Sequence, residues 1–210
     1  KVVVWENEFN YSKLNNFGVQ FATGKYYIFL NNDVEMIGTD WILRLSGDCH
    51  RNKVGVTGVK LYYPDDTVQH AGIVIGIGGS KRGIAANMFQ GLPREEHGYQ
   101  NRASLQADYS AVTAACMMVK KDVFDAVDGF TEKLQVAFND VDFCLKVRKK
   151  GYLVMYDPKI EGYHYESKSR GAENTPEKVR RFQGEIDTFR VLWKDILKDG
   201  DPYYNRNFSL

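Results

Sequence analysis

The sequence predicts an α/β protein with a mixed, mostly parallel central sheet and helices on both of its faces. Three observations carry this. The first sixty residues alternate strand-like and helix-like patterns in the order β-α-β-α-β. Tyr26-Tyr27-Ile28-Phe29-Leu30 is a short apolar strand that stops abruptly on Asn31-Asn32-Asp33. Near the C-terminus, Val179, Phe182, Ile186, Phe189, Trp193 and Ile196 recur at three- and four-residue steps, the stripe of an amphipathic helix.

Taken in order, Lys1 to Trp5 is a β-branched run that reads as a strand. Asn10-Tyr11-Ser12 offers capping side chains for a helix through about Ala22, ended by Gly24. Thr39 and Asp40 can cap a helix from Trp41 to about His50, and Val54 to Val59 is the next strand. Ile73 to Ile75 is a further strand, followed by a glycine-rich loop from Gly76 to Gly98. Its Gly-Ile-Gly-Gly-Ser-Lys run lacks the residue order of a phosphate loop. Val112 to Val119 reads as a buried strand with small residues at its centre, where a ligand or tight sheet packing is equally served. A short helix over Asp122 to Val127 stops at Asp128-Gly129, and Asn139 caps a helix that ends at Gly151. Tyr152 to Tyr156 and Ile160 to Tyr165 read as two strands broken by Asp157-Pro158. The last helix, about 176–198, begins with Thr175 as cap and Pro176 in the first turn. Without repeats or a linker, residues 1–210 are expected to form a single domain.

The chain has 210 residues, a formal net charge of +1 and 43% hydrophobic residues, so no global field favours nucleic acid or an anionic membrane surface. No apolar run approaches the roughly 20 residues that span a bilayer. Cys49, Cys116 and Cys144 are far apart and odd in number, neither a zinc pattern nor a disulfide framework, which fits a reducing, cytoplasmic compartment. Because the chain opens on Lys1-Val2-Val3-Val4, already strand-like, it is expected to be part of a longer one.

Three places carry possible chemistry. A strand ending in Asn31-Asn32-Asp33 delivers a carboxylate and two amides to the edge of a sheet, where ligands of open α/β folds bind. A plain polar turn explains the same residues. In Asn139-Asp140-Val141-Asp142, Asp140 shares a helical face with the apolar Phe143, Cys144 and Val147. Partial desolvation raises the pKa of such a carboxylate and suits it to act as a base; simple complementation of the helix dipole is the alternative. His164 closes a strand, and Lys168-Ser169-Arg170-Gly171 beyond it is a basic loop that serves either phosphates or solvent.

The order of these blocks resembles the family 2 glycosyltransferases, whose nucleotide-sugar-binding fold is called GT-A. Phe9-Asn10-Tyr11-Ser12-Lys13-Leu14-Asn15-Asn16 resembles the helix before the family's metal strand. Leu30-Asn31-Asn32-Asp33 resembles its Asp-x-Asp element in an Asn-Asn-Asp form, Asn139-Asp140-Val141-Asp142 the block with the catalytic base, and His164 a third metal ligand. The resemblance implies inverting transfer of a hexosyl or deoxyhexosyl group from a nucleotide-diphosphate sugar to a saccharide or lipid-linked saccharide, as in cell-envelope polysaccharide assembly. It implies Mg²⁺ or Mn²⁺ held by Asp33 and His164, with Glu35 as an additional ligand or as a hydrogen-bond acceptor behind them. Asn31, Asn32 and Arg170 would contact the donor, and Asp140 would be the base. Two departures are Asn31 at the first position of the Asp-x-Asp element and Asn139 where many members have Glu. The family's first strand and loop, which bind the nucleotide base, normally precede the region matching Lys1, so the chain is expected to lack them and to be inactive or weakly active alone. Two other readings stay open: a catalytically silent binding module of a larger polysaccharide-assembly protein, and a sugar-phosphate nucleotidyltransferase.

Overall fold

The computed structural model describes residues 1–77, 83–166, 175–205 and 207–208. The elements are α1 (Tyr11–Val19), β1 (Tyr26–Leu30), β2 (Val34–Met36), α2 (Trp41–His50), β3 (Val54–Tyr62), β4 (Val68–His70), β5 (Ile73–Ile75) and β6 (Ala85–Asn87). A 3₁₀ turn (Tyr99–Ser104) leads to β7 (Ala107–Asp108), β8 (Cys116–Lys120), α3 (Lys121–Ala126), α4 (Asn139–Lys149), β9 (Leu153–His164), α5 (Pro176–Leu192) and α6 (Lys194–Asp199). The main sheet runs β1-β8-β3-β9-β2, with β4 on β3 and β7 on β9; β5 and β6 form a separate hairpin.

The α/β class and the mixed sheet are as expected, but the mostly parallel pairing is not. Among the described strands only β3 and β9 pair in parallel. β8 lies between β1 and β3 and runs antiparallel to both. The two strands of the β-α-β unit therefore point the same way, as the alternation requires, while a strand from sixty residues downstream separates them. Periodicity reports direction and not adjacency.

Helices cover both faces. Leu45 and Cys49 of α2 pack with Val59, Leu61, Cys116, Met118 and Ile160 on one side. On the other, α3, α4 and α5 bury the larger cluster, in which the rings of Phe29, Phe124, Phe130 and Phe143 meet at centroid distances of 4.8–5.9 Å. Such ring pairs add about 0.5–1.5 kcal/mol each to the area they bury, which locks the start of α4 against the end of β1. Gly72, at the turn from β4 to β5, has φ +93°, and a Cβ there would meet the Tyr109 ring at 2.4 Å.

Several local expectations are corrected. No strand forms over residues 1–5: Val2 and Val4 are exposed, while Trp5 packs on Phe17 and the Lys1 ammonium sits over Phe21. β-Branched residues favour strands only where a sheet edge receives them, and among the described residues none does. Asp40 does not cap α2 with its side chain and instead pairs with Arg44 at 2.6 Å. The strand read over Val112 to Val119 starts at Cys116, and the preceding Thr113-Ala114-Ala115 forms a turn. The expected break at Asp157-Pro158 is a bulge inside the continuous strand β9, where the register jumps from Val59↔Asp157 to Lys60↔Glu161. A bulge suits proline because no ladder N–H is required there. Asn139 lies inside the first turn of α4 rather than capping it. The last helix divides at Trp193 into α5 and α6, with Thr175 Oγ1 accepting from Lys178 N as expected of the cap. All three cysteines are buried thiols. No helix among the described residues is long and apolar enough to cross a membrane.

Candidate active site

The turn after β1 and the end of β9 are brought together by the β2–β9 ladder. Val34 pairs with His164, and Tyr165 N–H donates to Asp33 O at 2.9 Å. This places Asp33 Oδ1 3.2 Å from His164 Nε2, with both side chains largely buried. Gln69 of β4 fixes the ring from behind. Its Oε1 lies 2.7 Å from His164 Nδ1, while its Nε2 donates to His164 O and to Glu166 Oε2, each at 3.3 Å. An acceptor on Nδ1 assigns the proton to that nitrogen. Asn31 Nδ2 lies 3.4 Å from Nε2, on which that assignment leaves the lone pair.

The consequence is two acceptor atoms facing each other. Asp33 Oδ1 is buried and has no hydrogen-bond partner, an arrangement that costs free energy unless a cation or proton lies between the two atoms. An octahedral ion with bonds of about 2.1 Å holds neighbouring ligand atoms about 3.0 Å apart, close to the 3.2 Å found here. The pair therefore fits Mg²⁺ or Mn²⁺. Among the described residues no group of three acidic, histidine or cysteine side chains forms a metal site, so an ion held by this pair would need its remaining ligands from elsewhere.

Glu35 does not join the pair. Its register partner is Tyr163, one residue off the His164 position, so it falls on the other face of the ladder and accepts from Tyr165 Oη at 2.9 Å. Asn31 turns its amide to His164 and donates its backbone N–H to Ala115 O at 2.9 Å. Asn32 is exposed. Arg170 lies outside the described residues.

Asp140 reaches the same corner from the opposite element. Its Oδ2 accepts from Ala114 N at 3.2 Å and its Oδ1 from Val141 N at 2.8 Å. Because Ala115 carries Asn31 and Ala114 carries Asp140, the turn 113–115 ties the metal-side loop to the carboxylate on α4. Tyr11 Oη donates to Ala114 O at 2.9 Å and His70 Nε2 takes Thr113 N–H at 3.4 Å. Burial raises the pKa of Asp140; donation from Ala114 N, Val141 N and Thr113 pulls the other way. His70 is fully buried and its pKa is pushed down to about 4, so near neutrality it is an uncharged strut. Its Nδ1 lies 2.6 Å from Asn87 Oδ1.

The loop that leads into α4 is held from two sides. From α1, Ser12 Oγ donates to Leu134 O at 2.6 Å and Asn10 Nδ2 to Glu132 O at 3.0 Å. From α5, Glu185, only 2% exposed, accepts from Val136 N at 2.7 Å and Ala137 N at 3.3 Å. Phe138 sits in the left-handed region at φ 60°, a cost of the order of 1–2 kcal/mol for a non-glycine residue. Its ring stacks on Phe182 and meets Phe189 of α5 at a tilt. Asp142 points away from Asp140 and accepts from Trp193 Nε1 at 2.8 Å. The C-terminal helix, which reads from its stripe as core alone, thus fixes the approach to Asp140. Glu185→Ala should lower the unfolding free energy by about 2–3 kcal/mol, since it strands two N–H groups that bond to a charge. Urea denaturation checks this.

The fold is of the GT-A type. No protein-family model matches the chain. It is 47% identical over 203 residues to the uncharacterized protein y4gI of Sinorhizobium fredii, covering 96% of this chain and 22% of that one. It is 33% identical to the O-antigen biosynthesis protein RfbC of Myxococcus xanthus, over 99% of this chain and 16% of that one. A shorter stretch, 30% of the chain, is 31% identical to an N-acetylglucosaminyl-diphospho-decaprenol L-rhamnosyltransferase of Mycobacterium tuberculosis. The chain thus spans only 16–22% of the length of the first two of these relatives. Among solved structures, that of GalNAc-T7 with UDP, GalNAc and Mn²⁺ superposes at TM-score 0.63 over 92% of this chain and 36% of that one, at 13% identity, and so bears on the fold.

Proposed function

We propose that this domain transfers a glycosyl group, with inversion, from a nucleotide-diphosphate sugar to a hydroxyl of a saccharide or lipid-linked saccharide in polysaccharide assembly. The observation that carries the reading is the buried, unsatisfied Asp33 Oδ1 facing His164 Nε2, bridged to Asp140 by the turn 113–115. The relatives named for O-antigen biosynthesis and rhamnosyl transfer, and a structural neighbour holding UDP and Mn²⁺, support it.

A divalent cation on Asp33 and His164 would neutralise charge on the departing diphosphate. The chain's own residues do the rest. Gln69 holds the His164 ring, with Nε2 turned toward Asp33. Asn31, anchored through its backbone, borders the donor. Asp140 takes the proton of the acceptor hydroxyl as that oxygen bonds to the anomeric carbon and the bond to the diphosphate breaks, its electron pair leaving with the nucleoside diphosphate. Each carboxylate oxygen of Asp140 accepts a single backbone N–H and keeps lone-pair capacity for that proton. One in-line step requires no covalent intermediate. Arg170 is assigned to the donor phosphates on its charge alone. Nucleotide sugars and lipid-linked acceptors at the cytoplasmic face of a membrane would supply this reaction.

The test is a thermal-shift screen of UDP-, dTDP- and GDP-sugars with Mn²⁺, followed by assay of released nucleoside diphosphate with saccharide acceptors. One donor should stabilise the chain in a metal-dependent way and turn over. Binding without turnover favours the silent module, and release of pyrophosphate favours the nucleotidyltransferase.

A further inference from the structure

A second cleft, of about 430 Å³, opens between β3, β9 and the 94–104 segment. It is lined by Lys60, Arg94 and Lys159 with the ring of His97, against the carboxylates of Glu95 and Glu161. Lys60 is the unusual member. The residue is 3% exposed, yet it makes no hydrogen bond or ion pair among the described residues; its ammonium lies 5.2 Å from the centre of the Tyr62 ring. Glu161 is already engaged, accepting from Tyr62 Oη and from Arg94 Nη2 at 3.4 Å. Arg94 in turn lies over the Tyr62 ring at 4.8 Å. Burial draws the Lys60 pKa down, with Glu161 opposing and Arg94 adding to the shift. The stem is buried while the ammonium keeps contact with the open cleft, and a charge held at the end of a buried stem without a hydrogen-bonding partner of its own is placed to meet an anion there.

We propose that this cleft is an oxyanion-binding site that takes the phosphate or carboxylate of a small ligand, with Lys60 as its anchor and Arg94 and Lys159 at its walls. Such a volume is in the range of small-molecule sites. The cleft is separate from the Asp33–His164 pair. Along β9, Glu161 and Tyr163 share one face while His164 points to the other. The site stands independently of the glycosyl-transfer reading.

The test titrates the chain with inorganic phosphate and, separately, with glucuronate, at constant ionic strength, following the lysine ε-methylene resonances by ¹³C NMR. Lys60 should shift in a saturable way with at least one of the two, and which one identifies the ligand's anionic group. The saturation should be the same in EDTA as in Mg²⁺, since the cleft does not include the Asp33–His164 pair. Lys60→Met, which replaces the ammonium by an apolar chain of similar length, should fold and weaken binding by at least about tenfold. Lys159→Ala, at the exposed rim, should weaken it by about threefold, and the distant exposed Lys133→Ala should not change it. Saturation by neither anion, or equal affinity in Lys60→Met or Lys159→Ala and wild type, overturns the proposal.

Discussion

Asp140→Asn should lower the rate of glycosyl transfer by about 10²–10⁴-fold, the range for losing a general base, while metal-dependent donor binding changes little. The amide matches the carboxylate in shape, but its oxygen can accept only one of the two N–H groups now held by Ala114 and Val141. The lost hydrogen bond costs about 1 kcal/mol of stability, far less than the roughly 3–5 kcal/mol of barrier at stake. Initial rates with donor and acceptor, set beside isothermal titration of donor with Mn²⁺, separate the two effects. The pH profile gives a further signature. The charged carboxylate is the active form, so activity falls as pH drops through the Asp140 pKa. Because burial raises that pKa, the acid limb should lie above the ordinary aspartate range and be absent from the residual rate of the variant. Turnover at the wild-type rate would remove Asp140 as base.

Much of this corner was legible because its signals are local. A strand that ends in Asn31-Asn32-Asp33, a helix that opens with Asp140 on its apolar face, and a strand that closes on His164 each declare themselves within a few residues. What joins them is not local. The turn at Thr113-Ala114-Ala115 read as part of a strand, since small apolar residues fit either structure; its role rests on bonds to Tyr11, Asn31 and Asp140 from three other elements. Gln69 and His70 are two polar residues in a short buried strand, and no spacing rule marks one as the support of His164 and the other as the support of Thr113. Glu185 lies on a helix whose apolar stripe fully explains its packing, so one acidic residue there carried no warning. Glu35 is the opposite case. Its closeness in sequence to Asp33 suggested a shared ligand set, and the pairing of Glu35 with Tyr163 turns it away. The expected predominance of parallel pairing in the mixed sheet is lost in the same way, because β8 enters between β1 and β3 from far along the chain.

Asp33→Ala should abolish the metal dependence of donor binding, raising the donor Kd in Mn²⁺ by about 10²-fold to the value measured in EDTA. The substitution leaves the backbone contact at this corner intact, because it is Asp33 O, not the side chain, that accepts from Tyr165 N. It also removes a buried oxygen without a hydrogen-bond partner that faces the His164 lone pair. In metal-free buffer, stability should therefore hold or rise, by up to about 1 kcal/mol, while in Mn²⁺ the wild type gains a ligand-linked increment that the variant lacks. The opposite signs separate a ligand from a structural residue. A structural carboxylate would lose stability on truncation with or without metal, and donor affinity would follow the fold. Isothermal titration in Mn²⁺ and in EDTA, with thermal unfolding in both, distinguishes them. His164→Ala should behave likewise but with lower stability in both buffers, since it also abandons Gln69 Oε1. Undiminished Mn²⁺-dependent affinity in Asp33→Ala would sink the assignment, and the turn after β1 would then be only a polar turn at the edge of the sheet.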